Sequence, residues 1–324
     1  MSIKILPLKL TPAFQNYLWG GQRLRDVYHK PAPTHWQNVA ESWELSTHPH
    51  GLSKINGGPY HDQTFAHYLE TAGPKILGKR FSQPKLPILI KLIDAMDNLS
   101  IQVHPHDDYA RKYENSPGKT EMWYVIDAQK DSFIYYGFNQ KISANEFEKR
   151  IKKQTILEVL QKVPAKKGDV FFIPSGTLHA IGKGLLVAEI QQCCDLTYRI
   201  YDYGRLQDGK PRALHLEKAL DVTKLDKVDP PPMTTAIDLN DHCQLLPLIN
   251  YKDFIVKKII LDGDLQLLSL PDTYQVLLVT SGKFALTYQN YQYQLQAGET
   301  IFLPADLGTY DLQGSGEILL VTDN

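Results

Sequence analysis

Alternating apolar and polar positions recur along this chain and predict a mainly β fold. From Ile101 to His104 the alternation places Gln102 and His104 on one face of a strand. Ile101 and Val103 then face the opposite side. The uninterrupted apolar run LPILIKLID, which begins at residue 86, predicts a longer strand in a buried position.

Helical spacing occurs in three places between the predicted strands. Residues 143–162 begin with Ser143 and Glu146, which have the spacing of a capping box, and an apolar stripe follows them. Residues 62–80 and 214–222 are the other two segments. We predict that all three are helical insertions in a β fold.

The length of 324 residues fits two domains, and a proline-rich segment indicates the boundary between them. Three consecutive prolines occupy positions 230–232, so we predict a linker over residues 230–240. Residues 1–229, with the helical insertions, form the predicted first domain. Residues 241–324 contain only strand patterns separated by closely spaced turn signals, which predicts an antiparallel β domain.

An internal repeat links the two predicted domains. Residues 168–174 read GDVFFIP and residues 298–304 read GETIFLP, with glycine, acid, apolar run and proline at the same offsets. The first copy continues to His179, whereas Thr309 stands at that offset in the second. The repeat predicts two β-barrels of common design, one that binds metal and one that does not; chance similarity of two strand–turn segments is the alternative.

Charge and cysteine content narrow the possible functions. The net charge of −1 gives no reason to expect nucleic acid or a membrane surface as a partner. No apolar stretch approaches the length needed to span a bilayer. Cys193, Cys194 and Cys243 lack the spacing of a disulfide framework, which favours a reducing compartment. We therefore expect a soluble cytoplasmic protein. We also expect a monomer, although no sequence pattern determines the oligomeric state.

Four side chains offer a set of metal ligands. Gln102 and His104 share a strand face, Glu121 opens a later strand, and His179 ends the first copy of the repeat after a tight turn. Two imidazole nitrogens and two oxygens suit zinc, although manganese, iron, cobalt or nickel would also be accepted. His106 lies outside the alternation and is expected to face solvent.

Ionisable groups near these ligands indicate an anionic, oxygen-rich ligand. Lys119 is two residues from Glu121 and would share its face on a strand. Lys91 interrupts an apolar strand, which is rare for a lysine unless its head group is paired or snorkels to solvent. Arg199 precedes an aromatic stretch, where it forms either an anion clamp or a surface stack, and Asp195 lies just before it. A phosphorylated sugar meets this description, whereas no nucleotide-binding fingerprint is present.

Five segments, in this order along the chain, carry a family resemblance: LWGG, AESWELSTHPHG, LIKLIDAMDNLSIQVHPHD, GKTEMWYVIDA and GDVFFIPSGTLHAIGKGLLVAEIQQCCDLTYRIYDYGR. They resemble the short bacterial form of the type I mannose-6-phosphate isomerase (phosphomannose isomerase) family, which belongs to the cupins. The resemblance covers roughly residues 10–225. It implies two cupin-type jelly-roll barrels with helical insertions, the first catalytic and metal-binding, the second cupin-like and metal-free.

The resemblance also implies roles for individual residues. One zinc ion per chain would be held by Gln102, His104, Glu121 and His179. Arg199 would be catalytic. Further active-site or cleft positions would be Lys91, Lys119, Asp195, Trp19 and Glu41.

The implied reaction interconverts mannose 6-phosphate and fructose 6-phosphate by proton transfer through a cis-enediol. Lys119 is the preferred general base, because neighbouring zinc and Arg199 would favour its neutral amine. Asp195 and His104 would assist ring opening. Two alternatives have the same metal-binding fold: an iron-dependent cupin oxygenase and a non-catalytic sugar-phosphate-binding cupin.

Overall fold

The structure is a computed structural model that describes residues 4–207, 209–228, 237–240 and 242–324. It confirms the mainly β class. In chain order the strands are β1 (Leu8–Thr11), β2 (Ala13–Gln15), β3 (Glu41–Leu45), β4 (Lys54–Ile55), β5 (Ile88–Asp94), β6 (Ile101–Val103), β7 (Glu121–Ala128), β8 (Phe133–Phe138), β9 (Leu160–Pro164), β10 (Val170–Ile173), β11 (His179–Ile181), β12 (Leu185–Gln192), β13 (Tyr198–Tyr201), β14 (Leu206–Gln207), β15 (Lys210–Pro211), β16 (Ile237–Asn240), β17 (Cys243–Tyr251), β18 (Phe254–Ser269), β19 (Gln275–Tyr288), β20 (Tyr291–Gln296), β21 (Thr300–Leu303) and β22 (Gly308–Thr322).

Helices are short and few beside the strands. The α-helices are α1 (Arg23–Asp26), α2 (Phe65–Ala72), α3 (Asp107–Glu114), α4 (Ala144–Lys152) and α5 (Leu216–Val222). Single turns of 3-10 helix occur at Gly58–Tyr60, Pro74–Ile76 and Ile156–Val159. Within the described residues, no helix has the length and apolar character required to cross a membrane.

The chain divides into two compact units that are discontinuous in sequence. One comprises Met1–Phe14, Ser42–Lys91 and Met233–Asn324; the other comprises Gln15–Glu41 and Leu92–Pro232. This division differs from the predicted domains 1–229 and 241–324. The physical reason is strand pairing: β1 pairs with β21, so an N-terminal strand completes a sheet built mainly from C-terminal residues. The catalytic and metal-free roles of the predicted domains remain predictions.

The predicted linker lies mostly outside the described residues. Positions 230–236 belong to that undescribed part. At the end of the predicted linker, Ile237–Asn240 forms β16 and pairs antiparallel with β17. The last four residues of the predicted linker therefore belong to a sheet.

The sheet of the first unit has the order β16-β17-β18-β22-β19-β21-β1-β4, with β20 on β19. Its long antiparallel strands carry the alternation seen in the sequence, and their buried positions form one hydrophobic cluster. Phe284, Leu312 and Ile318 are typical members, each almost fully buried. Removal of this apolar surface from water stabilises the unit.

In the second unit, a five-stranded sheet has the order β13-β6-β11-β8-β9. Ile101 and Val103 pack on one face in a cluster that also contains Phe147 of α4 and Ala219 of α5. Strands β10, β7 and β12 form part of a second sheet, and Trp123 from β7 belongs to a separate cluster. The face opposite α4 and α5 is therefore where Gln102 points.

Helices occur in all three segments predicted to be helical. The Ser143 hydroxyl accepts a hydrogen bond from the backbone N–H of Glu146 at 3.1 Å, which caps α4 as the sequence indicated. The predicted segment 143–162 extends too far, because Leu160 begins β9, which pairs with β8. Leu160, at the end of the apolar stripe, therefore belongs to this strand.

The two copies of the repeat have matching backbone conformations. Gly168 and Gly298 have φ values of 89° and 88°, and a strand begins two residues after each, at β10 and β21. At the next shared turn, Gly176 has φ 85° and Asp306 has φ 60°. Positive φ favours glycine, and aspartate tolerates it better than most residues. The repeat in the sequence is thus also a repeat of local structure.

Candidate metal centre

Three buried side chains in the second unit place ligand atoms around one point. Those of His104, Glu121 and His179 all lie within 4.8 Å of one another. Nε2 of His104 is 3.5 Å from Oε2 of Glu121, and Nε2 of His179 is 3.3 Å from Oε1 of the same carboxylate. Each residue is at most 1% exposed. One acidic and two imidazole ligands in a buried cluster form a typical site for a divalent cation.

Strand pairing and two turns bring these residues together. His179 opens β11 and pairs with Gln102 of β6, so both side chains lie on the same face. The N–H of Gly176 donates to the carbonyl of His104 at 2.9 Å, which ties the turn before His179 to the end of β6. A side chain at Gly176 would be strained by its positive φ and would place Cβ 2.8 Å from the carbonyl oxygen of Val222. Glycine is therefore required in this turn.

Glu121 returns to the same point after α3. The N–H of Lys119 donates to the carbonyl of Pro105, the residue that follows His104, at 3.1 Å. Glu121 then begins β7, where it pairs with Ile173 of β10 and Gln191 of β12. The hydrogen bond from Lys119 to Pro105 and the strand pairings of Glu121 thus bring the two ends of this polar segment together.

Backbone carbonyl groups fix the protonation of both imidazoles. Nδ1 of His104 lies 2.7 Å from the carbonyl oxygen of Leu196, and Nδ1 of His179 lies 2.9 Å from that of Thr177. A carbonyl oxygen only accepts, so Nδ1 carries the proton and Nε2 keeps its lone pair. The pKa of His179 is lowered to about 4, chiefly because the ring is buried. Both rings are therefore presented in the form that binds metals.

Gln102 contacts the group from the neighbouring strand. Its Nε2 lies 3.5 Å from Nε2 of His179. Half a turn of the carboxamide would exchange its nitrogen and oxygen, which are assigned from their surroundings. The donor set then has two imidazole nitrogens, a carboxylate and an amide oxygen, and it fits a zinc ion by ligand type. The structure thus brings together all four predicted ligands.

Lys119 lies against the same ligands. Its Nζ is 3.1 Å from Nε2 of His104 and 2.5 Å from Oε2 of Glu121. A second buried carboxylate, Glu189, is 3.8 Å from this amine. Glu189 also accepts a hydrogen bond at 2.9 Å from the indole of Trp123, whose ring packs edge-on against His179. Lys119 is thus in direct contact with two of the predicted ligands.

Arg199 follows the same strand register. On β13 it pairs with Gln102 of β6, which pairs with His179 of β11. Side chains at paired positions share a face, so Arg199 lies on the side of the sheet that carries the ligands. Its Nε donates to the hydroxyl of Ser100 at 3.1 Å and its Nη1 to the carbonyl of Ala213 at 3.0 Å. These bonds hold the guanidinium in one orientation.

Other residues predicted for the site have different surroundings. Lys91 is buried in β5, and its Nζ lies 4.9 Å from the centre of the Trp43 ring, a cation–π contact in the first unit. Trp19 is 4% exposed within the hydrophobic cluster of the second unit. Asp195 is half-buried beside Leu196, the residue that anchors His104, and Glu41 is buried at the start of β3. Roles of these four side chains in substrate binding or catalysis remain predictions.

Two residues near the centre were not predicted from the sequence. Glu189 could have been found, because it interrupts the apolar strand β12 as Lys91 interrupts β5. Tyr17 lines a cavity with Arg199, and its ring centre lies 5.5 Å from that of Trp19. An isolated tyrosine near the N-terminus carries no signal that would have identified it.

Comparisons with known proteins agree with this arrangement. Residues 7–153 match the family model described as phosphomannose isomerase type I, catalytic domain, and residues 246–323 match mannose-6-phosphate isomerase, cupin domain. A probable mannose-6-phosphate isomerase of Bacillus subtilis is 38% identical over 97% of this chain and 98% of its own. A mannose-6-phosphate isomerase of Streptococcus mutans is 35% identical over 98% of both chains. A crystal structure of the mannose 6-phosphate isomerase from Bacillus subtilis superposes with a TM-score of 0.90 at 32% identity, covering 97% of this chain and 99% of the other.

Replacement of His104 should abolish tight metal binding, whereas replacement of its neighbour in the same motif should not. We expect His104→Asn to lower zinc affinity by more than about 100-fold. Loss of a residue that only hydrogen-bonds to a metal ligand typically lowers metal affinity by about 10–100-fold, and loss of a ligand itself should cost more. His106→Asn is the matched control: His106 is exposed and caps α3, and asparagine can also cap a helix. Competition with a chelating dye measures both affinities. Equal affinities in His104→Asn and the unaltered protein would contradict the assignment.

Proposed function

The chain belongs to the type I phosphomannose isomerase family, and on this basis we propose that it interconverts mannose 6-phosphate and fructose 6-phosphate with one zinc ion. The observation that carries this proposal is the convergence of His104, Glu121 and His179, with Lys119 in contact and Arg199 on the same face of the sheet. A cupin that only binds sugar phosphates would not need this combination of metal ligands, amine and fixed guanidinium.

The four ligands Gln102, His104, Glu121 and His179 would hold the zinc ion. When bound, it supplies Lewis-acid polarisation of the substrate carbonyl, a contribution of several kcal/mol to the stability of developing negative charge. The ligand residues themselves supply rigidity. Both imidazoles are anchored through Nδ1 to backbone carbonyls, so little reorganisation accompanies binding.

Lys119 is our proposed general base. Isomerisation of an aldose to a ketose moves a proton between C1 and C2 through a cis-enediol. The base must therefore lie beside the atoms that hold the substrate oxygens. Nζ of Lys119 meets this condition, since it contacts both His104 and Glu121 and is shielded from bulk water. Glu189 lies 3.8 Å from Nζ and is the alternative base in the same space.

Arg199 is our proposed source of fixed positive charge. Its guanidinium is already oriented by Ser100 and the carbonyl of Ala213, so it stabilises an anion without paying for reorganisation during the reaction. Asp195 remains the proposed assistant in ring opening with His104, and Lys91, Trp19 and Glu41 remain proposed cleft residues. The cytoplasmic location and the monomeric state also remain proposals from the sequence.

Removal and return of the metal test the proposed activity. We expect the chelator-treated protein to lose turnover of mannose 6-phosphate and to regain it with one equivalent of zinc per chain. A coupled assay for fructose 6-phosphate measures the rate, and iron(II) serves as the comparison metal. Full activity without metal would contradict the proposal, and so would absence of turnover after zinc is restored.

Replacement of Lys119 tests the assignment of the base. We expect Lys119→Met to lower kcat by about 10²-fold or more, because a positioned base contributes about 10²–10⁴-fold. Zinc content should be measured in the same sample, because Lys119 contacts two ligands. Glu189→Gln is the paired variant. Near-normal turnover in Lys119→Met, with a large loss in Glu189→Gln, would assign proton transfer to Glu189 instead.

A further inference from the structure

Asp107 links three parts of the second unit around the candidate metal centre. It begins α3, three residues after His104. Its Oδ1 accepts two hydrogen bonds, one at 2.9 Å from the N–H of Gly118 and one at 3.1 Å from Nε2 of Gln192. One carboxylate oxygen therefore joins the start of α3 to the segment before Glu121 and to the end of β12.

The carboxamide of Gln192 continues this connection. Its Oε1 accepts a hydrogen bond from the N–H of Thr120 at 2.8 Å, and the N–H of Gln192 donates to the carbonyl of Thr120 at 3.1 Å. A backbone N–H only donates and an ionised carboxylate only accepts, so one orientation of the carboxamide satisfies both Thr120 and Asp107. Thr120 and Gln192 are 2% and 5% exposed, so little water competes for these bonds.

The proposed base lies between the two residues that are held in this way. Asp107 holds Gly118 on one side of it. Gln192 holds Thr120 on the other side. The backbone of Lys119 is therefore fixed at both neighbours. A displacement of roughly 1 Å in an active site can cost about 10²-fold in rate, so these bonds bear on the position of the amine.

The same network reaches the turn that precedes His179. The hydroxyl of Thr120 accepts a hydrogen bond at 3.3 Å from the N–H of Ser175 in this turn. Three side chains therefore join three segments, each of which carries one ligand. The ligands on these segments are His104, Glu121 and His179.

Asp107 also contributes charge to α3, and this effect must be separated from its hydrogen bonds. An acid in the first turn of a helix is favoured by the helix dipole, and Oδ2 of Asp107 lies 3.8 Å from Nη2 of Arg111 one turn later. Both effects need the charge of the side chain. The two bonds at Oδ1 need only an acceptor oxygen, which the amide of asparagine also offers.

We propose that Asp107 is a positioning residue of the candidate metal centre. It holds residues 118–120, directly and through Gln192. This segment in turn sets the positions of Lys119 and Glu121 beside the two imidazoles. The assignment rests on the proposed zinc-dependent isomerase function, since it concerns the ligands and the base of that reaction.

Three replacements separate the acceptor from the charge. Asp107→Ala removes both, Asp107→Asn removes only the charge, and Asp108→Ala removes an exposed charge from the same turn of α3. We expect Asp107→Ala to lower zinc affinity about tenfold, the lower end of the loss typical for a residue that supports a metal ligand. Asp107→Asn and Asp108→Ala should stay within about twofold, because each leaves the acceptor in place. Competition with a chelating dye measures the affinities.

Two further measurements distinguish positioning from a general loss of stability. Cobalt(II) suits the same donor set, and its visible absorption depends on ligand geometry. We expect the absorption bands to shift in Asp107→Ala and to stay in place in Asp107→Asn and Asp108→Ala. With zinc in excess, kcat and kcat/KM for mannose 6-phosphate should fall together about tenfold in Asp107→Ala, as when an interaction made in the transition state is lost.

Gln192→Met is an independent variant, because it removes the acceptor of the Thr120 N–H and leaves α3 unaltered. It should lower zinc affinity about tenfold as well, and it carries the test if Asp107→Ala does not fold. Unchanged affinity in Gln192→Met would overturn the proposal. Equal losses in Asp107→Asn and Asp107→Ala, or a similar loss in Asp108→Ala, would also overturn it. Affinity and cobalt absorption are measured without substrate, so absence of isomerase turnover would overturn only the reaction.

Discussion

The site depends above all on the pairing register of β13, β6 and β11. Arg199, Gln102 and His179 stand opposite one another in this register and therefore share one face. A slip of one residue would turn every side chain of β6 to the other face. It would then bury Gln102 among the apolar residues packed under α4 and α5 and direct Val103 toward the ligands. The hydrophobic cluster that includes Ile101 and Val103 thus specifies where the metal ligands point.

Backbone hydrogen bonds fix the orientation of the ligand side chains that the strand register brings together. Carbonyl groups of Leu196 and Thr177 hold the two imidazoles, and the N–H of Gly176 joins the turn before His179 to His104. Each of these partners belongs to the main chain. Unsatisfied polar groups are costly in a buried setting, so the rings have few alternative orientations. The same logic applies to Arg199, whose guanidinium is held by a hydroxyl and a carbonyl before any substrate arrives.

Much of the site could be predicted because its signals are local in sequence. Alternation in Ile101–His104 and the turn at Gly176 before His179 each follow from short-range rules. The convergence of Glu121 with the histidines came from motif order together with family resemblance. The position of Lys119 near the ligands could be predicted from its two-residue spacing from Glu121 alone.

Features that depend on contacts between residues far apart in the chain could not be predicted from the sequence in this way. Nothing in the sequence of β1 indicates that it pairs with β21, some 290 residues later, rather than with the strands near it. The predicted domain boundary therefore differs from the compact units.

The most direct test of the central claim is the position of zinc itself. Crystals of the zinc-loaded protein can be measured on both sides of the zinc absorption edge to give an anomalous difference map. The account predicts one dominant peak about 2.0–2.2 Å from Nε2 of His104, Nε2 of His179 and a carboxylate oxygen of Glu121, with the amide oxygen of Gln102 as fourth neighbour. A dominant peak elsewhere in the chain, with these side chains left unligated, would contradict it.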